Sequence, residues 1–171
     1  MFAFDPGGTT GWCHIAMKQQ GMTSDVVKLS DFNISVGQFG PQEHHNELWE
    51  CLLGWIAFCD MEKLMPHLVS EAFTFRQHAT DGSFGKAKVE LISCEYIGIM
   101  KQVSQKYHVP MKTYMSSEGK GFATDLKLEK LGWFQTPKTP KRHMNDAVRQ
   151  AVCYLVKELH IYSPLTDTWK D

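Results

Sequence analysis

The sequence predicts an α/β protein: a five-stranded mixed sheet, its first three strands antiparallel, flanked by helices. Two observations predict it. Three short apolar runs come first, joined by turns too short for a crossover, so they pair as a meander. Two further apolar runs then alternate with long stretches of three- and four-residue apolar periodicity, the order that parallel strands require. The 171 residues hold no internal repeat and no low-complexity linker, so residues 1–171 read as one domain.

The first strand is predicted from Phe2 to Phe4, ending at Asp5, and Pro6-Gly7-Gly8-Thr9-Thr10-Gly11 forms the turn into a second strand from Trp12 to Met17. A third strand is expected within Val26 to Val36, with Val27, Leu29, Phe32 and Ile34 buried. Gly40-Pro41 opens a helix to about Leu64, striped by Leu48, Leu52, Trp55, Ile56 and Cys59 and stopped by Pro66. His67 to Ala72 is a short strand carrying Glu71 at its end, and Phe73 to Gly85 reads as a surface loop. A second long helix runs from about Lys86 to Tyr107, with Ile92, Tyr96, Ile99 and Val103 on one stripe. Its apolar positions between 89 and 103 are expected to be mostly core, with one face open to a dimer seam. Pro110 introduces the fifth strand, Met111 to Met115. Ser116 to Gly121 is expected to be a loop, and a short helix follows from about Thr124 to Leu131. The last helix runs from His143 to about Leu159. This succession is the element order of the ribonuclease H fold.

Composition narrows the class. The apolar runs are too short to span a bilayer, and Met1-Phe2-Ala3-Phe4-Asp5 does not read as a secretory leader. The cysteines (13, 51, 59, 94 and 153) are scattered, odd in number and never C-x-x-C, which argues against a zinc ribbon or a disulfide framework and for a reducing, cytoplasmic setting. Charge is uneven. Residues 1–85 hold four Lys/Arg against ten Asp/Glu (4 − 10 = −6), whereas residues 86–171 hold fourteen against nine (14 − 9 = +5). A basic second half suits a polyanion; solvated helix faces would give the same count.

Acids close two strands, Asp5 and Glu71, and a third, Asp146, lies in the first turn of the last helix. His143 precedes Asp146 by three, so both lie on one helix face. If that helix crosses the sheet near the strand ends, three carboxylates and an imidazole converge. Crowded carboxylates repel, and a divalent cation relieves the repulsion. Two Mg²⁺ ions at such a cluster would suit in-line displacement at a phosphodiester, and a histidine beside them could bind a metal or move a proton. Taken singly, each residue has a plainer explanation: a turn acid, a helix N-terminal acid or a surface imidazole.

The turn Asp5-Pro6-Gly7-Gly8-Thr9-Thr10-Gly11 has glycines that allow positive φ or close backbone approach, and two hydroxyls. It is not a Walker loop, since it lacks Gly-Lys-Ser/Thr and leads into a strand. It also fits a plain hairpin, or the phosphate-binding hairpin of sugar kinases and actin-like ATPases, which need two such domains where this chain has room for one.

Taken together, Asp5-Pro6-Gly7-Gly8-Thr9-Thr10-Gly11, Glu71-Ala72 and His143-Met144-Asn145-Asp146-Ala147 resemble the RuvC-like Holliday junction resolvases, the phage-type members most closely. The resemblance implies a homodimer that binds a four-way junction and nicks two strands with Mg²⁺ or Mn²⁺, in the cytoplasm of a bacterial cell, encoded there or by a phage. It implies Asp5, Glu71, His143 and Asp146 as catalytic residues and metal ligands. It also implies basic residues after the fifth strand, for which Lys112 and Lys120 are the candidates, although Thr113 to Glu118 departs from the family's small and apolar run. Further DNA contacts are expected from Thr9 and Thr10 of the turn, from Phe75 and Arg76 directly after Glu71, and from Lys86, Lys141 and Arg142. Three other readings stay open: a nuclease of this fold with another target, such as phage replication forks or packaging intermediates, a non-catalytic nucleic-acid-binding module, and an actin- or sugar-kinase-like phosphotransferase.

Overall fold

The structure, a computed structural model, describes residues 1–17, 27–39, 45–73, 84–136 and 142–170, with side chains left aside at 84–91. Five strands form one sheet: β1 (Phe2–Asp5), β2 (Thr10–Met17), β3 (Phe32–Phe39), β4 (Leu68–Glu71) and β5 (Met111–Tyr114). Five helices flank it: α1 (His45–Met61), α2 (Phe84–Tyr107), α3 (Ser116–Phe122), α4 (Asp125–Lys130) and α5 (Arg142–Lys157). The strand order is β3-β2-β1-β4-β5. The first three strands pair antiparallel, while β1 with β4 and β4 with β5 pair parallel. The expected mixed sheet is therefore present, with β1 central.

Alternation along the strands sorts two cores. Phe2 and Phe4 of β1 and Leu68 of β4 meet Leu48, Leu52, Trp55 and Cys59 of α1 and Tyr96, Met100 and Val103 of α2. Ala3, Cys13, Ile15 and Val69 point to the other face, against Ala147, Val148, Ala151 and Val152 of α5, with α3 and α4 alongside. Full burial of a side chain such as Phe4 is worth about 1.5–3 kcal/mol. From Met144 to Val156 every residue of α5 is buried, because the sheet lies under it and α3, Leu128 and Leu165 close its flanks.

Two elements differ from expectation. Residues 29–31 form a 3₁₀ turn, and β3 starts at Phe32. There the Asp31 carboxylate accepts the Lys28 N–H at 2.7 Å, a local bond that competes with strand pairing. Val27, Leu29 and Ile34 nevertheless pack against the core. The stretch from Ser116 to Gly121, expected as a loop, belongs to the helix Ser116–Phe122. Glu118 accepts the Met115 N–H at 2.8 Å and caps the first turn, and Gly119 packs against α5 where a Cβ would come within 3.0 Å of the Gln150 amide nitrogen. Most of the expected loop at 73–85, with Phe75 and Arg76, and also Lys141 and the side chain of Lys86, lie outside the described residues. No helix among the described residues is long and apolar enough to cross a membrane.

Candidate active site

The alternation that buries Ala3 and Val69 under α5 turns Asp5 and Glu71 to the same side, at the C-terminal ends of two neighbouring parallel strands. The first turn of α5 closes over them. That approach depends on Gly11, which pairs with Asp5 across the β1–β2 ladder. A Cβ on Gly11 would stand 2.0 Å from the His143 carbonyl oxygen, so the backbones of β2 and α5 touch there. Close approach, and not positive φ, is what this turn takes from Gly11; the positive-φ glycine among the described residues is Gly132. Ser93 of α2 donates to the Pro6 carbonyl at 3.0 Å and ties the turn down from the opposite face.

The result brings together all four groups singled out above, three acids and one imidazole. His143 Nδ1 lies 2.7 Å from Asp5 Oδ2. Gln150, one helical turn beyond Asp146, donates to Glu71 Oε2 at 3.4 Å, and the Ser116 hydroxyl hydrogen-bonds the same carboxylate. Arg149 bonds Asp146 Oδ1, and Lys120 Nζ stands 3.5 Å from Asp146 Oδ2. A cleft of about 550 Å³ opens beside Asp146, lined by Lys120, Thr124, Phe134 and Arg142 among others. A smaller one of about 140 Å³ lies beside Glu71, Pro6 and Ser93. An apolar cavity of about 470 Å³, lined by Met1, Met17, His67 and Leu159, sits at the opposite ends of the strands, away from the carboxylates.

Electrostatics record the crowding. Burial, then the charge of Asp5, pushes the Glu71 carboxyl up from its ordinary 4.5 to about 7. Burial and Asp5 likewise raise the Asp146 carboxyl. The hydrogen bond to Asp5 raises the His143 imidazole, against the opposing effect of burial. Among the described residues no three His, Cys, Asp or Glu groups form a ready cage for an ion. The protein's own cations and protons neutralise the acids instead, through Arg149, Lys120 and His143. The donor set still fits a hard divalent cation: oxygen ligands that repel one another, and a buried Gln150 carbonyl oxygen with no hydrogen-bond partner beside Glu71.

The expected DNA contacts separate. Lys120 and Arg142 line the cleft beside Asp146, and Thr9 in the turn is partly exposed. Thr10 is turned inward: it is 1% exposed, and its hydroxyl accepts the Gly7 N–H and donates to the Gly7 carbonyl, both at 3.2 Å, so it clamps the turn and is corrected from DNA contact to structural residue. Lys112 also misses the site. It pairs with Glu158 at 2.8 Å, past the C-terminal end of α5, about 18 Å along the helix from Asp146 at 1.5 Å per residue. Sequence reasoning missed Ser116, Arg149 and Gln150. The two α5 residues continue the face that starts at His143 and Asp146, so helical spacing was the signal for them; Ser116 gave none, lying in a presumed loop.

No protein-family model matches the sequence, and a comparison with curated proteins gives no match. Solved structures do match. "T. thermophilus RuvC in complex with Holliday junction substrate" superposes with a TM-score of 0.59 and 15% identity, covering 93% of this chain and 94% of that one. "Thermus thermophilus RuvC structure" gives 0.56 and 16%, covering 94% and 97%. At such identities the likeness shows the fold, which is the ribonuclease H-like fold of RuvC over nearly the whole chain.

Proposed function

We propose that this chain, built on the RuvC fold, is a divalent-metal-dependent endonuclease that cuts branched DNA, with the four-way junction as its substrate. The observation that carries the reading is the meeting of Asp5, Glu71 and Asp146 with His143 at one end of the sheet. A solved relative by fold is described as bound to a Holliday junction substrate, which supports the choice of DNA form.

In this reading Asp5, Glu71 and Asp146 would hold Mg²⁺ or Mn²⁺, with His143 beside them. A bound divalent cation would supply charge neutralisation, polarisation of the phosphodiester and a lowered pKa for bound water. The chain's own groups do the rest. His143 has Nδ1 committed to Asp5, which leaves Nε2 as the nitrogen that gives or takes a proton. Asp5 fixes the ring's orientation. Lys120 and Arg142, on the wall of the cleft beside Asp146, meet phosphate oxygens. Water adds to phosphorus, the 3′ oxygen leaves with a proton, and a 5′-phosphate remains. Two nicks placed symmetrically in one junction require two such sites, hence a homodimer. The unbridged cysteines suit a reducing bacterial cytoplasm.

The test is a synthetic four-way junction beside linear duplex and single strand, with and without Mg²⁺. Paired nicks in opposed strands of the junction, only with metal, are expected. Asp146→Asn should cut more than about 100-fold more slowly while its junction Kd stays within about twofold. Binding without cutting in both Mg²⁺ and Mn²⁺ would sink the reading in favour of a DNA-binding module.

A further inference from the structure

Arg149 is a buried guanidinium with three separate anchors. Its side chain is 10% exposed. Nε donates to the Ala123 carbonyl at 3.0 Å, one terminal nitrogen bonds Asp146 Oδ1, and the other bonds Asp125 at the start of α4. A guanidinium fixed at all three corners of its fork cannot turn, so the Asp146 oxygen it holds cannot turn either. The remaining oxygen, Oδ2, is the one that Lys120 approaches from the cleft. Asp125 is 62% exposed at its side chain and is linked to Asp146 through Arg149. The anchors belong to the junction between α3 and α4, which is held on α5 by the close contact of Gly119 with Gln150 and the Arg149 Cβ.

We propose that Arg149 is a positioning residue of the candidate site: anchored by the Ala123 carbonyl and by Asp125, it sequesters one oxygen of Asp146 and presents the other to the divalent ion. Asp125, at the surface, is the remote end of this device. The inference rests on the nuclease reading for its meaning, because it assigns Asp146 as a metal ligand. A charge-only role for Arg149 makes the opposite forecast. If the guanidinium merely neutralised Asp146 and competed with metal, its removal would strengthen metal binding. If it orients the carboxylate, removal weakens binding even where the positive charge is kept.

The experiment is Mn²⁺ binding to the full chain, followed by electron paramagnetic resonance, beside junction cleavage at saturating Mn²⁺. Arg149→Lys retains the charge and loses the fork. It should weaken Mn²⁺ affinity by about 10-fold or more, the usual scale for groups that orient metal ligands, and lower kcat with KM for the junction held within about twofold. Asp125→Asn sits at the surface and spares the fold if Arg149→Lys does not; it should weaken Mn²⁺ binding in the same direction, by several-fold, with little change in Tm. Unchanged or tighter Mn²⁺ binding in both variants overturns the proposal, as does a wild-type chain that binds no Mn²⁺. Wild-type Mn²⁺ binding without junction cleavage overturns the nuclease reading alone, and the affinities of the variants then still decide the role of Arg149.

Discussion

Glu71 shows what happens to one carboxyl group placed among others. Its pKa of about 7, against an ordinary 4.5, means the folded chain binds a proton that the unfolded chain has released across that interval. A raised folded pKa stabilises at low pH, and the stabilisation is lost as pH rises from 4.5 through 7. Asp146 and His143 are shifted upward as well, so they act with the same sign. Burial pushes the His14 and His67 imidazoles down, an effect of opposite sign below about pH 6.5, so the acid is read by difference. Without divalent ions the Tm of Glu71→Gln should gain on that of the wild type between about pH 5 and about pH 8, and Mg²⁺ should raise the wild-type Tm more at the higher pH, where the carboxylates are charged. A difference between the two chains that stays constant across this range would show that Glu71 is not held protonated by its surroundings. The four central residues were legible because strand ends and an i, i+3 pair have fixed directions. Lys112 lies apart from them, and nothing in β5 tells that Glu158, forty-six residues on, waits beside it.

Helices and strands are seated here by what two glycines lack. At Gly11 the obstacle to a side chain is the backbone of His143, which cannot rotate away. Gly11→Ala should cost about 3 kcal/mol, at the upper end for overpacking, read as a lower urea midpoint at unchanged slope. At Gly119 the nearest atom is the end of the Gln150 side chain, so Gly119→Ala should cost less, about 1 kcal/mol. Equal stability of Gly11→Ala and the parent would mean that α5 is not seated on β2 as described. The same glycines explain what the sequence hid. Gly119 and Gly121 made the α3 segment look like a loop, because helix propensity counts glycine against a helix; at Gly119 the tight contact with α5 favours it, while Gly121 faces open space. The Asp31 bond to Lys28 shortened β3 in a similar way, by a local hydrogen bond that apolar alternation does not register.

For the molecule as a whole, strand direction followed from connection type: short links gave the antiparallel strands and helical crossovers the parallel ones, whereas the placing of β4 beside β1, with β5 outside it, was not legible in the sequence. The division of charge also has a spatial meaning. Lys120 and Arg142 of the basic half border the cleft beside Asp146, whose carboxyl feels the charge of Asp5 from the acidic half. Junction binding should therefore weaken at least tenfold between roughly 50 and 200 mM salt, with a log–log slope that Arg142→Ala reduces by about one; affinity indifferent to salt would remove these residues from the DNA path. The contact between His143 and Asp5 joins positions 138 apart in the chain. During synthesis, which delivers the amino end first, Asp5 emerges long before its partner exists. A ribosome-bound fragment lacking α5 thus holds a strand and a turn but no working centre, so any cutting power arrives only with the last helix, after the rest of the sheet has been made.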